Sequence, residues 1–226
     1  MISRKIVAII ILSIITSSSF AANLNYRHEY VDNGFNKDRL AFSNTFSNGI
    51  GISIEAKFRS DNSNQAFSNT MGNGHEEKVS WKKNLTPNIM ITPSFAIESS
   101  DSASTYKPRI QAQYTFKNSA YLAASYRFEK KKIASSSDKP EDNVNKYDLF
   151  IGYPIGKFKT EFNYTYARST ENQIRTNNKV YSSEYNEKIA YTLNKLWSPF
   201  IEIGNIGVKN NDNRLTRFRV GISYNF

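Results

Sequence analysis

Residues 106–116, YKPRIQAQYTF, decide the fold because their chemistry changes at every second position. One set is apolar or aromatic and includes Tyr106, Ile110 and Tyr114, whereas the other is charged or polar and includes Lys107 and Arg109. Successive side chains of a β-strand point to opposite faces, so a period of two predicts a strand whose faces meet different surroundings. One face suits hydrocarbon and the other suits water.

The same alternation recurs along the chain. Residues 50–59, IGISIEAKFR, and 158–167, FKTEFNYTYA, again set apolar or aromatic side chains against polar ones. Twelve such stretches are predicted to be strands: about 23–31, 38–48, 50–60, 75–84, 88–98, 106–117, 120–130, 146–153, 158–168, 181–193, 197–205 and 214–226. A strand that crosses a bilayer at a tilt needs ~9–11 residues, which matches these lengths.

The connections between these strands are alternately short and long. Asn48-Gly49 is a tight hairpin signal and segments 117–119, 154–157 and 194–196 are brief, whereas polar segments 60–74, 131–145 and 169–179 are longer. Together with Tyr and Trp near strand ends, this predicts an all-β, twelve-stranded antiparallel transmembrane β-barrel of the Gram-negative outer membrane. Segments 60–74 and 131–145 would be extracellular and both termini periplasmic. The alternative is a secreted β-sandwich, whose apolar faces would meet each other.

The beginning of the chain differs from the rest. Arg4 and Lys5 precede an apolar run over residues 6–15, and Ser19 and Ala21 provide the small side chains of a cleavage site. This order predicts a signal peptide over 1–21, followed by a single transmembrane barrel domain over 22–226. A membrane anchor is the alternative, but it would need about 20 apolar residues.

Composition and charge exclude several classes of protein. The 226 residues include no cysteine, so disulfides and thiolate zinc sites are impossible. The formal charge is +10, and removing the two cations of residues 1–21 leaves +8. Residues 22–226 have no apolar run long enough for a membrane helix. A basic exported chain is expected to meet acidic solutes, outer-membrane lipid and lipopolysaccharide, and no nucleic acid.

The polar strand faces carry more cations than acids. If these faces line a lumen, it contains fourteen cations and nine acids, and such a surplus of Arg and Lys biases a pore toward anions. The predicted pore-lining cations are Arg27, Arg39, Lys57, Arg59, Lys78, Lys82, Lys107, Arg109, Arg127, Lys159, Lys188, Arg217 and Arg219, with Lys146 as the fourteenth. The acids are Glu29, Glu55, Glu76, Glu98, Glu129, Asp148, Glu161, Glu184 and Glu202. Some neighbouring pairs, such as Lys159 and Glu161, are expected to be structural. Binding of lipopolysaccharide at the surface is the alternative role for the basic residues.

Catalysis has little support in the sequence, and we predict no enzyme, no cofactor and no metal. His28 falls on the lipid-facing side of its strand, and His75 lies beside Glu76 and Glu77 at the start of the fourth strand. A histidine beside carboxylates could serve as a base, but a solvated loop end is the simpler interpretation. Segment 209–213, KNNDN, lacks the ordered ligand spacing of a calcium loop.

Two motifs carry a family resemblance. The chain ends in FRVGISYNF, which resembles the terminal signal recognised by the barrel assembly machinery and makes Phe226 the expected contact. Residues 23–58, with YRHEY, an Asp-Arg-Leu element and the Asn-Gly turn, resemble the oligogalacturonate-specific porin family, which includes sialic-acid channels. In that resemblance Arg27 matches the arginine of YRHEY and Arg39 that of Asp-Arg-Leu.

The resemblance implies a monomeric twelve-stranded channel that passes acidic saccharides passively along basic tracks. An oligogalacturonate porin is the leading hypothesis. A channel for N-acetylneuraminate, and a non-conducting barrel for adhesion or membrane integrity, are the alternatives.

Overall fold

The computed structural model describes residues 22–60, 65–134, 140–209 and 213–226, which form a closed antiparallel sheet; the predicted signal peptide lies outside them. The strands are β1 (Asn23–Val31), β2 (Asn36–Thr45), β3 (Ile50–Ser60), β4 (Thr70–Trp81), β5 (Lys83–Asn84), β6 (Ile89–Ser100), β7 (Ala103–Thr115), β8 (Tyr121–Ile133), β9 (Asp142–Ile155), β10 (Phe158–Ser169), β11 (Tyr181–Tyr191), β12 (Trp197–Gly207) and β13 (Arg214–Asn225). None of the described residues forms a helix long and apolar enough to cross a membrane.

Two pairings close the sheet into a ring. β1 pairs with β13, where Asn23 lies opposite Asn225, and β4 pairs with β6, where Glu76 lies opposite Glu98. The two-residue β5 continues the crossing that β4 begins, because both pair with β6. The thirteen segments therefore make twelve crossings of the wall, which confirms the predicted twelve-stranded barrel.

Several predicted strand bounds are wrong at one end of the barrel. β4 begins at Thr70 rather than 75, β7 at Ala103 rather than 106, and β9 at Asp142 rather than 146. These extensions pair with their neighbours although their sequences do not alternate. Backbone pairing needs no apolar face where a strand rises beyond the hydrocarbon, so alternation ends before the ladder does. The connections predicted at 60–74 and 131–145 shorten accordingly to 61–69 and 134–141.

The two ends of the barrel carry different connections. At one end lie segments 46–49, 85–88, 116–120, 156–157 and 192–196, together with Ala22 and Phe226, which are joined by a 2.9 Å backbone hydrogen bond. Gly49 is required in the first of these turns, because its φ is +85° and a Cβ there would lie 2.3 Å from the Lys82 carbonyl oxygen. At the other end lie segments 32–35, 61–69, 101–102, 134–141, 170–180 and 208–213.

Burial in this barrel is the reverse of burial in a water-soluble protein. Large apolar side chains such as Ile54 and Phe162 are 50% and 41% exposed, whereas Glu29 and Asp148 are only 7% and 8% exposed. The apolar face of each strand therefore points outward and the polar face inward, as the alternation predicted. A sandwich would pack its apolar faces against each other, so this alternative is wrong.

Aromatic side chains are concentrated at both ends of the outer wall. Near the short turns Trp197 and Tyr224 have ring centroids 4.6 Å apart, and Tyr224 and Phe226 are 4.8 Å apart. Near the other end Tyr126 and Tyr147 are 5.3 Å apart, and the row continues along the wall. Amphipathic rings at two levels are typical of the boundaries of a membrane-spanning barrel.

Candidate functional site

The lumen brings most of the predicted cations together. Arg27, Arg39, Lys57, Lys107, Arg127, Arg217 and Arg219 line a cavity of about 420 Å³ with Glu29, Glu55, Glu76 and Glu98. Lys78, Lys82 and Arg109 line a second cavity of about 290 Å³, and Lys159 and Lys188 line a third of about 440 Å³. Arg59 and Lys146 occupy lumen-facing positions outside these three cavities. The role of these residues in solute passage stays a prediction.

Cations lie side by side in two rows along the wall. On β1, β2 and β3, Arg27 lies opposite Arg39, which lies opposite Lys57. On β7, β8 and β9, Arg109 lies opposite Arg127, which lies opposite Lys146. We call these the first row and the second row. Like charges directly opposite on neighbouring strands destabilise a sheet. The two rows of three cations therefore do not stabilise the barrel through their contacts with one another, which points to a role in function.

The two rows face each other across the lumen. β8 is the fifth crossing from β2 around a ring of twelve, which is nearly half the circumference. Arg127 of the second row lines the same cavity as the first row, so a solute in that cavity meets both.

Acids adjoin the first row and contact two of its three cations, Arg39 and Lys57. Glu55, Glu76 and Glu98 lie opposite one another on β3, β4 and β6. Lys57 Nζ lies 2.9 Å from a Glu98 oxygen, and Lys107 Nζ lies 2.8 Å from a Glu76 oxygen and also bonds Glu98. These side chains form a compact quartet of two cations and two acids, which holds the long lysines against the wall.

The seam between β13 and β1 contains a second group of ion pairs. Arg219 Nε lies 2.7 Å from a Glu29 oxygen, and the Arg219 guanidinium also bonds Glu202 across β12. Arg217 donates hydrogen bonds of 2.6 Å to Asn186 and 3.3 Å to Glu184. Arg219 is thus engaged on both sides, which fits a structural role more than a solute contact.

Several arginines keep unused donors. The buried Nε atoms of Arg27, Arg39, Arg127 and Arg217 have no hydrogen-bond partner among the described residues. Arg39 does contact Glu55 at 3.0 Å through Nη1, but Arg27 forms no side-chain ion pair or hydrogen bond within the described chain. A buried guanidinium without a protein partner is a ready donor for an anion.

Three lumenal cations were missed because they lie at strand ends or in a loop. Lys37 faces inward, 3.8 Å from Glu29, and Lys131 occupies an inward position opposite Asp142. Both fall just beyond the predicted strands. Arg175 belongs to segment 170–180, where its Nη1 lies 3.4 Å from Asp142 and its Nε donates to Ser182. Loop residues have no alternation to read, so no sequence signal could have placed Arg175.

Segment 170–180 is held at one mouth of the barrel by contacts with the neighbouring strands and connections. Besides the Arg175 contacts, the Asn177 amide donates to the Val208 carbonyl at 2.7 Å, and Ser169 Oγ accepts from the Gln173 amide at 2.9 Å. The two side chains that Arg175 contacts, Asp142 and Ser182, lie on the lumen face of β9 and β11. Arg175 therefore points toward the pore entrance, whereas Lys179 lies on the outer side of the same segment, with its Nζ 5.5 Å from the centre of the Tyr181 ring.

The two histidines lie on the outer wall, away from the charged lumen. His28 Nδ1 lies 2.9 Å from Asp38, which also accepts a hydrogen bond from Tyr26. His75 lies within β4 rather than at its start, and its Nε2 is 3.6 Å from Glu77. Among the described residues, no three His, Cys, Asp or Glu side chains are grouped to hold a metal ion. Positions 210–212 of the weak calcium candidate lie outside the described chain.

Comparison with known proteins places this geometry in a family. The profile of the family described as "Oligogalacturonate-specific porin protein (KdgM)" matches residues 15–226. The chain is 36% identical over 222 residues to a protein of Salmonella typhimurium called uncharacterized protein YiiY, covering 96% of each. It is 29% identical over 233 residues to the oligogalacturonate-specific porin KdgM of Dickeya dadantii, covering 98% of this chain and 99% of that one.

Solved structures agree with the fold. A KdgM porin in complex with disordered oligogalacturonate is 26% identical, with a TM-score of 0.70 over 90% of this chain and 99% of that chain. A NanC porin is 20% identical, with a TM-score of 0.76 over 90% and 100%. The NanC protein of Escherichia coli, at 24% identity over 216 residues and 91% of each chain, is called an N-acetylneuraminic acid outer membrane channel. The lumen described above is therefore that of an outer-membrane porin.

Proposed function

Since the chain belongs to the oligogalacturonate-specific porin family and is a saccharide porin of the outer membrane, we propose that it conducts acidic oligosaccharides selectively, through contacts with the two rows of cations. The family fixes the class of solute in general terms, a saccharide. The acidic character of the solute and the anion selectivity of the pore are the proposed parts.

The observation that carries the proposal is the like-charge register of the two rows. Arg27, Arg39 and Lys57 repel one another, and Glu55 and Glu98 offset this cost in part through Arg39 and Lys57. Arg27 has no such partner among the described residues, so an anion beside it would offset the cost further. A chain of uronic acids carries one carboxylate per sugar ring. Such a chain would meet the first row on one side and the second row on the other.

Release is as important as binding in a channel, because a site that holds its solute tightly does not conduct. Here each row has acids close by. Arg39 contacts Glu55 at 3.0 Å, Arg127 contacts Glu129 at 2.8 Å, and Arg109 lies 3.6 Å from Asp148. These carboxylates compete with the solute, so each contact is weak and the solute can step to the next cation.

The orientation is proposed from the connections. Outer-membrane barrels have short periplasmic turns and longer extracellular loops, which places Ala22, Phe226 and turn 46–49 in the periplasm. Protease added to intact cells should then cleave within 61–69 or 134–141. Cleavage there only after the cells are disrupted would reverse the orientation.

Planar-bilayer recording tests the conductance hypothesis. We expect discrete conductance steps, a reversal potential in a salt gradient that shows anion preference, and current block by trigalacturonate but not by a neutral trisaccharide. N-acetylneuraminate measured in the same membranes separates the two acidic solutes. Cation preference, or equal block by the neutral sugar, would contradict the proposal, and a complete absence of conductance steps would favour a non-conducting barrel.

A further inference from the structure

The outer wall carries its own cations near the end with the longer connections. Lys130 on β8 lies opposite Tyr106 and Asn143, and Arg168 on β10 lies opposite Asn145 and Tyr181. Arg168 follows Ala167, which is 1% exposed and faces the lumen, so Arg168 points outward. Lys130 is likewise out of phase with the inward Arg127. These cations cannot serve the pore.

A row of tyrosines lies next to these cations, on the side toward the middle of the wall. The ring centroids of Tyr126 and Tyr147 are 5.3 Å apart, those of Tyr147 and Tyr166 are 6.4 Å apart, and those of Tyr166 and Tyr181 are 5.8 Å apart. Lys179 Nζ lies 5.5 Å from the centre of the Tyr181 ring. Tyrosine prefers the depth where hydrocarbon meets polar headgroups, so the cations lie at headgroup level. We call Lys130, Arg168, Lys179 and these four tyrosines the basic–tyrosine surface.

The cations of this surface are free to bind. The Lys130 and Arg168 side chains form no ion pair or hydrogen bond within the described parts of the chain. In the described part of the chain, the acids close by are Glu141, which is held by Lys132 at 2.8 Å, and Glu171, which accepts a hydrogen bond from Asn143 at 2.7 Å. Positive charge therefore remains available on the outer wall.

The opposite outer wall has a different charge. On β1, β2 and β4 the outward ionisable side chains are His28, Asp38, His75 and Glu77. These are two histidines and two acids, with no outward Lys or Arg among the described residues of these three strands. Arg214 at the start of β13 also faces outward, but its guanidinium donates to Asn205 and to the Ser183 carbonyl. Among the described residues, outward cations without a protein partner near this end are therefore concentrated on β8–β10 and in the adjoining segment 170–180. This concentration indicates a particular ligand rather than a general attraction to an anionic membrane, which would favour free cations all round the barrel.

We propose that the basic–tyrosine surface binds the phosphate groups of a phosphorylated, acylated glycolipid of the outer leaflet. Arg168 offers a planar fork that matches a phosphate, and Lys130 and Lys179 add point charges on either side. The acyl chains would extend past the tyrosines along the apolar wall. The proposal rests on the orientation proposed above, in which this end of the barrel is extracellular, but not on the solute that the pore conducts.

Binding of purified bisphosphorylated lipid A to the full barrel in detergent, measured by native mass spectrometry, tests this proposal. K130Q/R168Q/K179Q should bind at least fivefold more weakly than the wild type. The matched control K117Q/K157Q/K195Q removes the same number of charges from the short turns at the other end and should bind as the wild type does. Lipid A without phosphates should bind both variants and the wild type equally weakly.

Three outcomes would overturn the proposal. They are equal binding by K130Q/R168Q/K179Q and the wild type, equal weakening in both triple variants, and a barrel dimer that the first variant abolishes while lipid A binding is unchanged. The last would mean that a second copy occupies the surface. Single-channel conductance of K130Q/R168Q/K179Q should equal that of the wild type, so failure here is separable from failure of the transport proposal.

Discussion

The double substitution R27Q/R39Q tests whether the first row binds solute. Both side chains line the central cavity, both have a buried Nε without a protein partner, and they lie opposite each other on β1 and β2. Glutamine keeps much of the length and the polarity while removing the charge. Glu55, which loses its contact with Arg39, retains Lys57 at 3.7 Å. The exchange should therefore alter the lumen without leaving an acid unpaired.

The expected magnitude follows from the charges removed. Two unit charges about 4 Å apart in water attract by about 1 kcal/mol. Salt at 0.1 M, with a Debye length of about 10 Å, reduces this by roughly a third. A carboxylate that contacts both guanidinium groups therefore loses about 1.4 kcal/mol, which corresponds to about tenfold weaker block by trigalacturonate.

The assay is the concentration dependence of current block, with K130Q/R168Q as a control that removes the same charge from the outer wall. Because the two arginines repel each other, we expect R27Q/R39Q to keep the heat-modifiable gel mobility of the folded barrel. Unchanged block would mean that the first row does not touch the solute. Loss of the folded gel mobility would instead assign these arginines a structural role.

Three further expectations follow from particular residues. G49A should destabilise the barrel by about 1–3 kcal/mol, because its φ of +85° and the 2.3 Å approach to the Lys82 carbonyl leave no room for a methyl group, and the temperature at which the folded gel band disappears reports this. R175Q should remove the contacts of segment 170–180 with Asp142 and Ser182, so added protease should cleave the segment several-fold faster while the stability of the barrel stays the same. An unchanged cleavage rate would mean that Arg175 does not hold the segment in place. A spin label at Ile54 should be relaxed mainly by oxygen, which dissolves in lipid, and a label at Lys57 mainly by a water-soluble nickel reagent. The opposite pattern would mean that the lipid-facing and lumen-facing sides of β3 are reversed.

The sequence predicts the barrel well because a period of two is a direct consequence of strand geometry. It fails where the strands leave the membrane: β9 begins at Asp142, but neither face there has to be apolar. The same limit hid Lys37 and Lys131, which lie within the observed strands but outside the predicted ones. A strand sequence alternates only where its two faces meet different media, so the alternation ends where both faces meet water.

Charge partners were harder to predict than charge positions. Lys159 and Glu161 are neighbours on one face of β10, yet they form no ion pair among the described residues, and Glu161 accepts a hydrogen bond from Tyr121 instead. Lys57, by contrast, is closer to Glu98 at 2.9 Å than to Glu55 at 3.7 Å. In both cases the partner lies two strands away: Lys57 on β3 reaches past β4 to Glu98 on β6, and Tyr121 on β8 reaches past Gly152 of β9 to Glu161 on β10. The partners therefore depend on the register of three strands and on the size of the side chain between them. The register between paired strands cannot be derived from the alternation alone, so these partners could not be predicted from the sequence.

The seam between β1 and β13 determines when the ring can be completed. β1 is the first strand along the described chain, and its open edge stays without a partner until β13, the last strand, is in place. Backbone amide and carbonyl groups without hydrogen-bond partners are unstable in lipid. Until β13 is in place, the earlier strands therefore have to remain outside the bilayer or have the edge of β1 covered. Insertion of this porin therefore cannot proceed strand by strand in the order of synthesis. The final hairpin, β12 and β13, closes the ring by pairing with β1.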